Sequence, residues 1–167
     1  METITQETTR TREIALLRLW YLVGSWEGEG AGQGASYRLQ GEVRWALKDH
    51  YLALEVAVYD ESGQPLGSEH GYIHYDRREQ MLVAWFFGSD GRAERAIGWA
   101  DAQGRLTLTT VQITNASPEF PARFVRRILW PVEQGMWAYA IEVDFGNGVI
   151  PFVHGRMYRQ PAGLAGP

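Results

Sequence analysis

Leu22-Val23-Gly24-Ser25-Trp26-Glu27-Gly28-Glu29-Gly30 stands where a short helical run gives way to a long series of strands. A Gly-x-Trp-x-Gly-x-Gly run at that junction has a physical meaning. Trp26 offers a large apolar plug for one end of a barrel, with an N–H that needs a partner once buried. The glycines let the first strand bend sharply and pass close to its neighbours.

Upstream, Ile14, Leu17 and Tyr21, with Leu16 and Trp20 beside them, fit one face of a short helix over Arg12 to Tyr21. That helix is expected to cap one mouth of the barrel. Downstream, Tyr37, Leu39, Val43, Trp45 and Leu47 alternate with Arg38, Gln40, Glu42, Arg44 and Lys48, a two-residue period. Tyr51 to Tyr59 puts Leu52, Leu54, Val56 and Val58 on one side. Asp60-Glu61-Ser62-Gly63-Gln64-Pro65 then turns the chain.

Further strands are expected at Ser68 to Tyr75, Gln80 to Phe87, Arg92 to Ala100, Arg105 to Thr114, Ala122 to Trp130, Met136 to Asp144 and Pro151 to Arg159. Roughly ten strands at a spacing of about 8–12 residues indicate a sandwich or barrel. Short connections let sequence neighbours pair as a meander, and closing the meander removes the sheet edges. The expected fold is all-β: an antiparallel up-and-down barrel of about ten strands with one short N-terminal helix. It forms a single domain over 12–160, with flexible tails at 1–11 and 161–167.

The 167 residues are enough to bury a core or enclose a cavity, and 13% are aromatic, seven of them tryptophan. No cysteine is present, so disulfides and thiolate metal sites are excluded. The polar start METITQETTRTRE lacks an apolar leader core, and no apolar run reaches membrane-spanning length. A net charge of −4 with a pI near 5.6 opposes an electrostatically held nucleic acid. The expectation is a cytoplasmic protein with neither a nucleic-acid nor a membrane partner. A second copy of the chain, as a homodimer, is the protein partner expected.

Four histidines are the natural candidates for chemistry. His50 lies in a polar turn. His70 and His74 share one face of a strand, about 13 Å apart by the rise per residue, too far to ligate one ion together. His154 sits in Phe152-Val153-His154-Gly155-Arg156-Met157-Tyr158-Arg159 among aromatic and apolar neighbours. Periodicity puts Phe152, His154, Arg156 and Tyr158 on one face. The residues alone leave His154 open between a structural histidine and a ligand. Arg123, Arg126 and Arg127 form a basic cluster on one strand, either a solvated face or a site for an anionic head. Glu55 and Glu94 lie in strands of mixed character. No nucleophile elbow, HExxH motif or phosphate-cradling loop appears, so no catalytic residue is named.

The glycine-rich run, Gly63-Gln64-Pro65-Leu66 followed by Glu69-His70-Gly71-Tyr72, and Tyr139 followed by Val149-Ile150-Pro151, His154 and Arg159 together resemble nitrobindin. This is a haem-binding barrel of the calycin, fatty-acid-binding-protein-like type. The resemblance implies haem b as cofactor, with His154 as the proximal ligand of the haem iron. It implies nitric oxide binding and isomerisation of peroxynitrite to nitrate. Three stretches depart from the family pattern: Ser36-Tyr37, Lys48-Asp49-His50-Tyr51 and Ala140-Ile141-Glu142-Val143-Asp144. The last puts Glu142 and Asp144 where small apolar residues would line a haem face, and an unpaired inward carboxylate there is costly. The alternative is a haem-free barrel for a small hydrophobic or amphipathic ligand, its polar end met by the arginines or His154.

Overall fold

The computed structural model describes residues 14–161. Arg12, Glu13 and the expected tails, apart from Pro161, lie outside the described residues. Ten strands follow one another: β1 (Gly24–Gly32), β2 (Ala35–Ala46), β3 (Tyr51–Tyr59), β4 (Pro65–Asp76), β5 (Met81–Gly88), β6 (Ala93–Ala100), β7 (Leu106–Thr114), β8 (Phe124–Glu133), β9 (Met136–Asp144) and β10 (Val149–Arg159). Each is antiparallel to its sequence neighbour, and β10 returns to pair with β1, closing the barrel. The expected architecture is therefore present.

Local chemistry explains the turns. After β3 the Asp60 carboxylate accepts from the backbone N–H of Ser62 and of Gln64, each at 2.9 Å. After β6 Asp101 does the same with Gln103 and Arg105, again at 2.9 Å. The fourth residue of each Asp-x-x-Gly turn, Gly63 or Gly104, has a left-handed φ of 86° or 82°, which only glycine adopts without strain.

The segment before β1 departs from the expected helix. Residues 14–17 make one α-helical turn, and Trp20–Leu22 winds as a 3-10 helix. Leu19 N–H donates to the Leu16 carbonyl at 2.9 Å, and Leu22 N–H donates to that of Leu19 at 3.0 Å. Three residues per turn put Leu16, Leu19 and Leu22 on the buried face, while Ile14, Leu17 and Trp20 are exposed. A period of 3.6 favours Ile14, Leu17 and Tyr21, of which Tyr21 packs against the core and the other two do not. The segment still covers one end of the barrel: Arg18 Nη1 donates to the Ala100 carbonyl at 2.9 Å, and the Tyr21 hydroxyl to that of Gly104 at 2.9 Å.

Trp26 plugs this end. It is 2% exposed, and its indole N–H donates to the Leu22 carbonyl at 2.6 Å. Its ring meets Trp137 edge-on at 5.8 Å, and the Arg159 guanidinium lies 4.5 Å from the ring centre. Arg159 also donates to the Val23 carbonyl at 2.7 Å, tying the last strand to the start of the first.

One seam is short. β7 and β8 pair only from Leu106↔Leu129 to Thr109↔Arg126, whereas β8 and β9 pair from Phe124↔Asp144 to Glu133↔Met136. Beyond Thr109 the two strands part, and the loop 115–123 fills the space. There Ala122, Val125 and Val143 form a second buried cluster with Phe120, Phe145 and Phe152 packed against it.

Candidate functional site

In an up-and-down barrel alternate connections lie at opposite ends. The β1–β2, β3–β4, β5–β6, β7–β8 and β9–β10 connections therefore surround the mouth away from the helical segment. The inward residues of the strands enclose a cavity of about 590 Å³. Its floor is Leu22, Trp26, Trp137 and Met157, and its walls include Leu54, Val56, Ile73, Phe86, Leu108, Leu129 and Ile141. At the mouth Leu66, Ser89, Asp90 and Glu119 line it and are exposed. The volume and the mostly apolar lining match a small-molecule pocket, typically about 300–1,000 Å³.

One wall is charged. Glu69 on β4, Glu94 on β6 and Arg127 on β8 all point inward, joined by Arg92 from the residue just before β6. Arg127 Nη1 donates to Glu94 Oε2 at 2.7 Å and Nη2 to Glu69 Oε2 at 2.8 Å. Arg92 reaches Glu94 Oε1 through Nε at 2.7 Å, Glu69 Oε2 at 3.3 Å and Asp90 Oδ2 at 3.5 Å. The Arg92–Glu94 contact is of ion-pair distance but lacks hydrogen-bond alignment. The Glu94 side chain is fully buried. Burial alone would lower the Arg127 pKa, but Glu69 and Glu94 more than offset it, so the group lies above its ordinary value and stays charged. The guanidinium also lies 4.0 Å from the centre of the Phe86 ring.

His154 lies elsewhere. It is exposed on β10 and is not among the residues lining the cavity. The expectation that its ring projects into the barrel is thus not met, and the cause is local. Register runs Pro151↔Glu142 and then Val153↔Ile141, leaving an extra residue in β10. Phe152 and Val153 both line the cavity. A bulge of this kind resets the alternation, so Val153, Gly155 and Met157 face inward while His154, Arg156 and Tyr158 face out. Gly155 makes room for the Tyr139 hydroxyl, which would lie 2.6 Å from a β-carbon built there.

The other candidates separate cleanly. Arg126 faces outward and donates to Glu142 at 2.8 Å, so the supposed basic cluster is split by strand alternation and only Arg127 enters the barrel. Glu142 is thereby paired outside the cavity. Asp144 Oδ1 accepts from Gly146 N–H at 2.6 Å and Gly148 N–H at 3.1 Å, capping the β9–β10 turn. Neither carboxylate opposes a ligand. His70 and Glu55 face each other outside, 3.6 Å apart. The His74 ring packs 5.1 Å from that of Tyr51, and His50 stays in the exposed β2–β3 turn.

Sequence reasoning passed over Glu69, Arg92 and the inward role of Glu94. A signal existed for Glu94, which shares its two-residue phase with Ala96 and Gly98 on β6 and is buried with them.

A family model described as the THAP4-like, heme-binding beta-barrel domain matches residues 15–157, in agreement with the nitrobindin resemblance. The crystal structure of Rv2717c from M. tuberculosis matches with a TM-score of 0.74 at 20% identity, covering 87% of this chain and 97% of that one. A redesigned β-barrel matches with a TM-score of 0.44 at 12% identity, over 84% and 93%. No curated protein matches the chain. A haem held as expected takes its proximal nitrogen from inside the barrel, but no histidine lines this cavity. The lining residues do not fit a histidine-held haem.

Proposed function

The chain belongs to the THAP4-like, heme-binding β-barrel domain family, and from that premise and its cavity we propose that it binds a small hydrophobic or amphipathic molecule inside the barrel. The cavity of about 590 Å³ with a mostly apolar lining is the observation that carries this. Burial of the apolar part of a ligand supplies the affinity, at about 25 cal/mol per Å² removed from water. The charged wall supplies orientation. Glu69, Glu94, Arg92 and Arg127 are paired with one another, and the role proposed is binding.

The family description supports a second reading, haem binding, to which the nitrobindin resemblance adds haem b, nitric oxide binding and peroxynitrite isomerisation. It needs an imidazole at the iron, and His154 faces outward, so it takes second place.

One titration series separates the two. The neutral fluorescent probe N-phenyl-1-naphthylamine should bind saturably and one-to-one, and Val56→Trp, which fills the cavity, should abolish uptake. Hemin should give no sharp Soret band, and His154→Ala should change nothing. A sharp Soret band that His154→Ala removes would restore the haem reading. Probe uptake unaffected by filling the cavity would remove the first.

A further inference from the structure

The charges around the cavity are not balanced. Four carboxylates, those of Glu69, Asp90, Glu94 and Glu119, stand against two guanidiniums, those of Arg92 and Arg127. Both guanidiniums are engaged. Arg127 spans Glu94 and Glu69 at 2.7 and 2.8 Å, and Arg92 is held by Glu94, Glu69 and Asp90. One flat face of each is also covered, that of Arg127 by Phe86 at 4.0 Å and that of Arg92 by Phe120 at 4.6 Å. Glu69 differs: its ion pairs all run to Oε2. Its Oε1 is therefore left as an acceptor on a side chain that is 24% exposed and lines the cavity. Glu119 adds a further carboxylate at the exposed rim.

We infer that the cavity selects ligands by the sign of their polar end, taking an amphiphile with a cationic or hydrogen-bond-donating head, such as an alkylamine, over one with a carboxylate. The inference rests on the proposed binding of an amphipathic ligand in this cavity. A protonated amine entering tail first brings up to three N–H donors to Glu69 Oε1 and into a field two charges negative. An alkanol donates one hydrogen bond and gains nothing from the field. An alkanoate head meets guanidiniums whose charge is already shared among Glu69, Glu94 and Asp90, and it adds a like charge to a cluster that is already net negative. Arg92 and Arg127 thus serve as counter-ions to these carboxylates, so their charge is largely neutralised before an anionic head arrives.

Competition against N-phenyl-1-naphthylamine at neutral pH and low salt tests this, using dodecylamine, dodecanol and dodecanoate below their micelle thresholds. Dodecylamine should displace the probe at a concentration at least about tenfold below that of dodecanoate, with dodecanol between them. The preference should narrow as salt is raised, because rim charges are screened. Glu69→Gln should narrow it as well, by removing the acceptor. Should that variant fold poorly, Glu119→Gln leaves the Arg92 and Arg127 contacts in place and should still reduce the amine preference. Dodecanoate competing as well as or better than dodecylamine in the unmutated protein overturns the selectivity alone. If neither the probe nor any of the three amphiphiles binds, the binding function falls and the selectivity falls with it.

Discussion

Tyr21 and Tyr139 carry the polar ends of two rings into apolar surroundings at different heights in the barrel. The Tyr21 hydroxyl pins the helical segment to Gly104, and the Tyr139 hydroxyl donates to the Glu29 carbonyl at 3.2 Å. Both phenols are pushed well above the ordinary tyrosine range, first by burial and then by Asp101 near Tyr21 and Glu29 near Tyr139. An unfolded phenol ionises near pH 10, to a first approximation. A folded value above that makes the contribution complete below about pH 10 and lost as the pH climbs from there toward the folded value. The urea midpoint should therefore fall as the solution is taken above about pH 10. Tyr139→Phe should flatten part of that decline while costing about 0.5–1.5 kcal/mol at neutral pH, the worth of one neutral hydrogen bond. Identical alkaline slopes for the variant and the unmutated protein would exclude a Tyr139 contribution.

At the scale of the element, β10 does most to place the site. Its bulge turns Phe152 and Val153 inward together, and the next inward position is Gly155, which sits opposite Gly30 of β1. The paired glycines leave a notch in the wall, and the Tyr139 hydroxyl lies over it. A β-carbon at Gly155 would press on that hydroxyl and on the β1 backbone at Glu29. A backbone obstacle cannot swing aside as a flexible side-chain tip can. Gly155→Ala should therefore destabilise the protein by about 1–3 kcal/mol through overpacking, read as a lower urea midpoint with an unchanged slope. A neutral or stabilising effect would mean that β1 and β10 are not held this close. An exposed control is Gly34, where an added β-carbon meets nothing within 4 Å and only its left-handed φ of 76° opposes the change.

For the whole molecule, every strand has a partner on both sides, but the wall is uneven. Eight register pairs join β6 to β7, and four join β7 to β8. Past Thr109 the barrel is held on that side by side chains: the Arg127–Glu94 ion pair, the Thr110 hydroxyl 3.4 Å from Glu94, and the phenylalanine cluster under the loop 115–123. Side-chain contacts open locally at lower cost than a continuous ladder. Hydrogen exchange should be fastest, among strand amides, for those of Thr110–Thr114 that point toward β8, while the β8–β9 and β9–β10 amides exchange last. A ligand in the cavity should slow the seam amides preferentially. Uniform protection around the barrel would show that the short register is no weak point.

Strand existence was legible because its causes are local. A two-residue period, Asp-x-x-Gly turns and short connections each act within a few residues, so Tyr51–Tyr59 was located to the residue and the meander followed. Trp26 as the end plug was legible for the same reason. The winding of the capping segment was not, since one tight turn exposes Ile14 and Leu17 and buries Leu16, Leu19 and Leu22. Nor was the facing of His154, because a single extra residue at Phe152 reverses the phase of β10. The charged wall lay furthest from view: Arg127 meets Glu94 across 33 positions and Glu69 across 58. The sequence by itself determined the strands, their order and the plugged end. Only closure of the barrel decided which faces look inward and which charges meet there, because both depend on strands far apart in the chain being brought around one axis.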